Sequence, residues 1–273
     1  MRKHFLLLAL ACLGMSSVKA ETVELLSFGD FNQWVTRNIK ESVIIGGKEK
    51  KVYEIAPTAT LNGDDAYTNM GGSPWATSNV LASGTIFLGE MLEPVSGTKN
   101  PYSKMNMGIP FTGRPIALQF EYKLSIPSGQ RLYSSGFGSK KELPGQDYAE
   151  IFILLQRRWE DASGHIHAAR VGTGRERYGT SIAEWTTHRI PVWYGDITGH
   201  EGFEDYMGLL PKDKSYYAKN SKGKMVQVVE EQWDDPDATP THIVVMISSG
   251  CGTPYTGTPD MTLWVDNVSL VYE

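Results

Sequence analysis

Cysteine is nearly absent from this chain. Among 273 residues only Cys12 and Cys251 are cysteines, and Cys12 lies in an N-terminal segment that we expect to be removed. A mature chain with Cys251 alone excludes an intramolecular disulfide. An exported domain of this size must then be held together by its hydrophobic core.

Long apolar runs are also missing, apart from a short one near the start. Met1-Arg2-Lys3-His4 precedes an apolar run from Phe5 to about Met15, and small residues lead to Ala20. This order predicts a secretory signal peptide, residues 1–20, that is cleaved after Ala20. No segment is long and apolar enough to cross a bilayer, so we predict no transmembrane segment. The protein is expected in the periplasm, at the cell surface or outside the cell.

Cys12 leaves a second route open, in which it is the lipid-modified first residue of a lipoprotein. Two features argue against it. Ala9 stands where such signals usually have leucine, and the preceding apolar run is unusually short.

Positive charge is in deficit. The chain has 26 basic and 31 acidic residues, a net charge of −5, and removal of Arg2, Lys3 and Lys19 with the signal peptide takes it to −8. Nucleic acids and anionic membranes are polyanions. An acidic exported protein is a poor partner for either, so we predict that it binds no nucleic acid.

No heptad, internal repeat or sustained helical periodicity is present, and the pattern is that of β-strands. The last twelve residues, Thr262–Glu273, alternate with a period of two and enclose one acid, Asp266. The polar segment from Gly195 to Pro240 predicts loop with at most one short helix. Many short strands separated by Gly/Pro loops predict an all-β sandwich or barrel, with residues 21–273 as a single domain. The other predicted strands are Val23–Phe28, Val43–Ile45 in a hairpin with Lys51–Ile55, Thr85–Leu88, Ile116–Leu124, Tyr148–Arg158, His165–Val171, Trp185–Trp193 and His242–Ser248.

An ordered set of short segments carries a family resemblance. The segments are Pro74–Asn79, Gly108–Pro115, Asp147–Ile151, Ile247–Gly250 and Thr262–Leu270. In this order they resemble the "putative carbohydrate metabolism domain" (PCMD) family of exported Bacteroidetes proteins. The resemblance implies a jelly-roll β-sandwich, similar to carbohydrate-binding modules, with a role in glycan binding or processing. We therefore expect a monomer whose partner is a poly- or oligosaccharide.

Sugar rings present apolar faces, so glycan sites offer aromatic planes with polar groups at their edges. Trp75 is the first candidate, because it lies in a turn-rich segment with polar neighbours. Trp264 lies inside the closing strand and is expected in the core. Core packing is the alternative role for every other aromatic candidate as well. The predicted sugar-binding residues are Trp75, Asn79, Arg114, Trp193 and Tyr255, and the further aromatic candidates are Trp185, Tyr194 and Trp233.

Glycoside hydrolysis would need two carboxylates about 5 Å apart for retention or about 6.5–9.5 Å for inversion. Glu121 and Glu150 are the candidate pair, each expected on the exposed face of a strand, and Asp147 is a third candidate. A solvated sheet face would produce the same pattern.

One metal site is predicted, and a second pair of residues is considered and set aside. Asp30 and Asp266 stand near the first and last strands, where jelly-roll modules often hold a structural calcium ion, although a hydrogen-bonded acid explains each equally well. His165 and His167 share one face of a strand, but no third ligand has a recognisable spacing.

Three functions follow from these patterns. The first is an exported, lectin-like domain that binds glycans without catalysis. The second is a glycoside hydrolase or lyase on the same fold, and the third is a structural or adhesive surface protein. Exposed coplanar aromatics without a close carboxylate pair indicate the first function, and two close carboxylates in a cleft indicate the second. A broad apolar patch with no groove indicates the third.

Overall fold

The computed structural model describes residues 20–27, 29–32, 41–45, 48–52, 66–72, 81–91, 100–134, 140–251 and 254–273. The predicted signal peptide up to residue 19, Cys12, Trp75 and Asn79 lie outside these residues. No helix in the described part of the chain has the length and apolar character needed to cross a membrane.

The front sheet has six strands, in the order β15-β10-β21-β4-β5, with β1 paired to β21. All these pairings are antiparallel. The C-terminal strand is central, and it pairs with the first strand so that Val23 lies opposite Val271. The strands are β1 (Thr22–Leu25), β4 (Ala66–Gly72), β5 (Leu81–Ser83), β10 (Ala117–Ser125), β15 (Ile182–Pro191) and β21 (Thr262–Tyr272).

The back sheet has ten strands and is built on the long hairpin of β13 and β14. On one side of the hairpin β19 pairs with β13, and on the other side β18 runs parallel to β14. The strands are β6 (Thr85–Phe87), β7 (Gly89–Met91), β8 (Met105–Met107), β9 (Ile109–Pro110), β13 (Ala149–Glu160), β14 (Ile166–Tyr178), β16 (Trp193–Tyr194), β17 (Tyr217–Lys219), β18 (Met225–Trp233) and β19 (His242–Ser248).

Smaller elements complete the described chain. The predicted hairpin near residue 45 is confirmed, with Glu41 opposite Val52. These elements are the hairpin of β2 (Glu41–Ile45) and β3 (Lys48–Val52), a small sheet of β11 (Leu132–Ser134), β12 (Lys141–Leu143) and β20 (Thr256–Gly257), and short 3-10 helices at Pro101–Lys104, Asp205–Met207 and Lys212–Lys214.

The main core lies between the two sheets, so the fold is the predicted all-β, jelly-roll-like sandwich. In β10, Leu118, Phe120, Tyr122 and Leu124 pack into this core. The alternate residues Gln119, Glu121 and Lys123 belong to the opposite face of the strand, and they are half-exposed. The front sheet therefore has an outer face that carries polar residues and meets solvent.

The back sheet is buried on both faces over β13. Ile151 and Ile153 pack into the core between the sheets, whereas Phe152 and Leu154 pack into a second core on the other face. The segment between residues 195 and 224 supplies Leu210 and Tyr216 to that second core. A strand that is covered on both faces has a continuous run of apolar residues, and β13 has such a run from Ile151 to Leu155.

The prediction of a loop from Gly195 to Pro240 is wrong for its second half. This segment contains β17 and the nine-residue β18, which adds a parallel strand to the hairpin through His167 opposite Val229. Only Val228 and Glu230 of this strand are buried, so its sequence lacks the apolar alternation that marks the other strands.

Candidate functional site

The outer face of the front sheet carries a row of three side chains on three neighbouring strands. Lys123 of β10 lies opposite Trp264 of β21. On the other side, a register shift after Tyr122 brings Trp185 of β15 next to Lys123. The Lys123 ammonium lies 4.6 Å from the centre of the Trp185 ring and 5.5 Å from that of Trp264. We call Trp185, Lys123 and Trp264 the aromatic–lysine row.

The row is open to solvent. Trp185 is 37% exposed, and Trp264 is half-exposed. The prediction that Trp264 lies in the core is wrong, because its neighbours Leu263 and Val265 fill the inward positions of β21. In a strand the next residue must point to the other face.

An open depression of about 280 Å³ adjoins the row. Lys123 and Trp264 form part of its wall, and Ser125 and Ser181 add hydroxyl groups. Leu124, Ile182 and Ala183 complete the lining. The depression combines an indole, an ammonium group and hydroxyls, which are the groups that sugars bind.

On the other side of the row lie two carboxylates. Glu121 is directly opposite Asp266, so their side chains share this face. The Asn267 amide Nδ2 donates to Glu121 Oε2 at 3.1 Å, and the Asn267 backbone N–H donates to Asp266 Oδ1 at 2.7 Å. Asn267 has a positive φ of 50° and is the extra residue of a β-bulge, which lets it contact both acids.

The polar surface continues along the strands. Arg189 Nε donates to Gln119 Oε1, and its Nη1 forms an ion pair with Glu21, both at 2.7 Å. Amides, carboxylates and a guanidinium group therefore follow the aromatic–lysine row along one face.

The predicted pair of Glu121 and Glu150 is not brought together. Glu121 is on the outer face of the front sheet, whereas Glu150 shares the covered outer face of the back sheet with Phe152. Glu150 was expected to be exposed, but it is only 2% exposed. It accepts hydrogen bonds from Arg175 at 3.1 and 3.0 Å and from Arg177 at 2.8 Å, which neutralise its buried charge.

Asp147 is buried and holds a loop in place. Its carboxylate accepts backbone N–H groups from Tyr148 at 2.9 Å, Cys251 at 3.2 Å and Thr258 at 3.1 Å. Burial raises the pKa of Asp147, and these donors oppose that rise. Asp147 and Tyr148 directly precede β13, Cys251 lies in the loop between β19 and β20, and Thr258 directly follows β20.

Arg114 and Tyr194 pack against each other. The Arg114 guanidinium lies 4.2 Å from the centre of the Tyr194 ring and donates to the carbonyls of Pro236 and Ala238. Two of the five N–H donors of Arg114 are therefore used within the protein.

The other predicted aromatics lie away from the row. Trp193 belongs to β16 of the back sheet and stacks on His200 at 4.1 Å. Trp233 ends β18 of the same sheet, and Tyr255 precedes β20 with a positive φ of 63°. Sequence reasoning gave no special weight to Trp185 and missed Lys123. Their position opposite each other depends on strand order.

The first and last strands meet as the calcium prediction requires. Leu26 N–H donates to the Val268 carbonyl at 3.0 Å, and Val268 N–H donates to the Gly29 carbonyl at 2.9 Å. Asp30 thus adjoins the segment that carries Asp266. Within the described residues, no group of three or more His, Cys, Asp or Glu is arranged to hold a metal ion. The calcium site stays a prediction, which melting temperatures with calcium and with EDTA would test.

His165 and His167 have acidic neighbours that sequence spacing did not reveal. Asp161 Oδ2 lies 2.9 Å from His165 Nδ1 and 3.4 Å from His167 Nε2, and Glu231 Oε1 lies 2.6 Å from His167 Nδ1. The contact with Glu231, followed by that with Asp161, raises the pKa of His167.

Comparison with known proteins also relates the chain to carbohydrates. The family model described as "Putative carbohydrate metabolism domain" matches residues 47–271. The chain belongs to this family. No curated protein matches it.

Two solved structures are similar to this PCMD chain, and the first of them shares its fold. One is described as a putative glycoside hydrolase from Bacteroides thetaiotaomicron VPI-5482, with 16% sequence identity and a TM-score of 0.51 over 78% of this chain. This chain covers 55% of that protein, or about half its length. A second, described in the same words and from Bacteroides vulgatus ATCC 8482, has 16% identity and a TM-score of 0.47, with 76% of this chain and 71% of that chain covered.

Proposed function

We propose that this PCMD chain is exported and binds glycans without cleaving them, through the aromatic–lysine row. The observation that carries the proposal is the exposure of Trp185 and Trp264 on the same sheet face. Two half-exposed indole rings on one sheet face, with the Lys123 ammonium between them, offer apolar planes to the faces of sugar rings.

The spacing of the row suits a chain of sugars. Neighbouring strands lie about 4.8 Å apart, so Trp185 and Trp264, two strands apart, have backbones separated by ~10 Å. Two sugar rings of one oligosaccharide can then meet the two indoles while Lys123 faces the linkage between them. The glycan would run across the strands.

Polar groups beside the row support the same function. Glu121 and Asn267 lie on one side, and Gln119 and Arg189 follow along the same face. Their hydrogen bonds hold these side chains in place before a ligand arrives. Preformed side chains lose little conformational entropy on binding.

A glycan array tests this function with the mature chain, residues 21–273. Trp185→Ala and Trp264→Ala should each weaken binding about tenfold or more, as truncation of a tryptophan anchor does. The matched control is Trp159→Ala, because Trp159 is 40% exposed and lies on the back sheet. Equal binding by all three variants would contradict the site. Trp75→Ala belongs in the same series, since its role stays a prediction.

Glycoside hydrolysis is the second candidate, and the pairing of Glu121 with Asp266 favours it. Directly opposite residues have Cβ atoms about 4.5–5.5 Å apart, close to the carboxylate separation of retaining enzymes, and Glu121 is half-exposed whereas Asp266 is only 6% exposed. The release of reducing ends from array-positive glycans is the assay. If the wild type releases reducing ends, and Glu121→Gln and Asp266→Asn each abolish the release, the chain is an enzyme and the non-catalytic proposal is replaced. Binding without any release of reducing ends would support the non-catalytic proposal.

A further inference from the structure

The depression beside the aromatic–lysine row has a charge distribution of its own. Of its described lining residues, Lys123 is the charged one, and the others are serines, aliphatic residues and Trp264. No described residue forms a hydrogen bond or an ion pair with the Lys123 ammonium, whose contacts are the two indole rings. The cation is therefore available to a ligand.

The acidic groups of the same face lie on the other side of Lys123. Along β10 the order is Glu121, Lys123, Ser125, and the depression is lined at Lys123 and Ser125. Positions two residues apart in a strand are ~7 Å apart. A ligand in the depression is thus closer to the ammonium than to Glu121 and its partner Asp266. Because it is the closer charge, the ammonium attracts an anion there more strongly than either acid alone repels it.

Indole rings hold the ammonium without neutralising it. A cation–π contact at an exposed site contributes about 0.5–1 kcal/mol and leaves the positive charge in place. An anion can then approach the ammonium from the depression while both rings stay in contact with it. Ser125 offers a hydroxyl group to the rest of the ligand, whereas the Ser181 hydroxyl already accepts the Ile126 N–H at 2.9 Å.

The size of the depression limits the ligand. Its volume of about 280 Å³ is just below the range of about 300–1,000 Å³ that is usual for small-molecule sites. This suits one sugar residue, with the neighbouring residues of the glycan lying over the indoles.

We propose that the depression takes one anionic sugar residue, a pyranose carrying a carboxylate or a sulfate ester, whose charge meets Lys123. This inference rests on the proposed function, because it names the glycan class that the aromatic–lysine row selects. It predicts a preference for acidic over neutral glycans in a protein that is itself acidic.

Matched glycans test the inference directly. The array should carry uronate polymers beside their carboxyl-reduced forms, and sulfated glycans beside their desulfated forms. We expect an acidic form to bind about tenfold more tightly than its neutral partner, the effect of one charge-assisted hydrogen bond. The pair that shows the difference identifies whether carboxylate or sulfate is the source of the charge.

Variants at Lys123 isolate the contribution of the charge. Lys123→Met should lose the preference, and Lys123→Arg should keep it. Lys222→Met, on an exposed turn of the back sheet, is the matched control. Raising the NaCl concentration from about 0.05 M to about 0.5 M should weaken acidic binding in the wild type but not in Lys123→Met, because salt screens exposed charges. Circular dichroism checks that each variant is folded.

The outcomes separate the two proposals. Neutral and acidic glycans bound equally well, or a preference that survives Lys123→Met, would overturn this inference and leave glycan binding in place. No binding to any glycan would overturn both. Binding that needs Trp185 and Trp264, with a preference that needs Lys123, would support both.

Discussion

At the residue scale, Arg170 of β14 and Glu230 of β18 show how a pair of opposite charges is accommodated inside the back sheet. Both side chains are fully buried. Arg170 Nε donates to Glu230 Oε1 at 2.6 Å, and Gln156 Nε2 and the Leu210 N–H donate to the same carboxylate. Attraction to Arg170 is the largest influence that lowers the pKa of Glu230, against burial. Neither charge has access to water.

Removal of one partner should therefore be costly. Arg170→Met leaves an uncompensated buried carboxylate and should destabilise the protein by about 3–5 kcal/mol. The double variant Arg170→Met/Glu230→Leu should recover much of this loss. Urea unfolding measures the free energy of unfolding of the single and the double variant. Arg131→Ala is the control, because both side chains of the Arg131–Glu142 pair are more than half exposed and such a pair contributes little to stability. A single variant as stable as the wild type would contradict the buried-charge argument.

His167 should make a stabilising contribution that depends on pH. Its pKa is raised in the folded protein, so the contribution is fully present below the ordinary histidine pKa of about 6.5 and is lost as pH rises through the raised value. Urea unfolding of His167→Gln between pH ~5.5 and ~8.5 should show a deficit at the acidic end that shrinks with rising pH, below about 1 kcal/mol throughout. His165→Gln, with a far more exposed ring, is the control. A deficit that grows with pH would contradict this assignment.

At the element scale, the first strand depends on a close approach to the C-terminal strand. A Cβ atom at Gly29 would lie 2.3 Å from the Val268 carbonyl oxygen, which is too close for any side chain. The absence of a side chain at Gly29 permits the two backbone hydrogen bonds that join Leu26 and Gly29 to Val268.

Gly29→Ala should thus push the first strand away from β21. We expect a loss of about 1–3 kcal/mol in thermal or urea unfolding. Gly199→Ala is the matched control, because a Cβ there meets nothing within 4 Å and the backbone needs no positive φ. If Gly29→Ala were as stable as Gly199→Ala, the first strand would not be tightly docked.

At the scale of the whole molecule, export should leave a defined new N-terminus. Mass spectrometry of the protein from its native host should find Glu21 as the first residue, because Ala20 ends the predicted signal peptide. Cys12→Ser should change neither the mass of the mature protein nor its release. A lipid-modified N-terminal Cys12 would contradict cleavage after Ala20 and establish the lipoprotein alternative. Glu21 itself pairs with Arg189, so the predicted cleavage point adjoins the front sheet.

The sequence by itself determined the all-β class, the jelly-roll-like family and the strands that alternate cleanly, such as β10 and β21. Period-two alternation is a local property of the sequence, so it identifies a strand even when the partner strand is unknown. Only the tertiary structure decided which face is inside. Trp264 turned out to face solvent because Leu263 and Val265 take the inward positions, and Glu150 turned out to be buried because a second core covers β13. The row of Trp185, Lys123 and Trp264 depends on the order and register of three strands that are distant in the chain. Strand pairing is set by non-local contacts, and a shift of one residue in any of these strands would turn its member of the row to the other face.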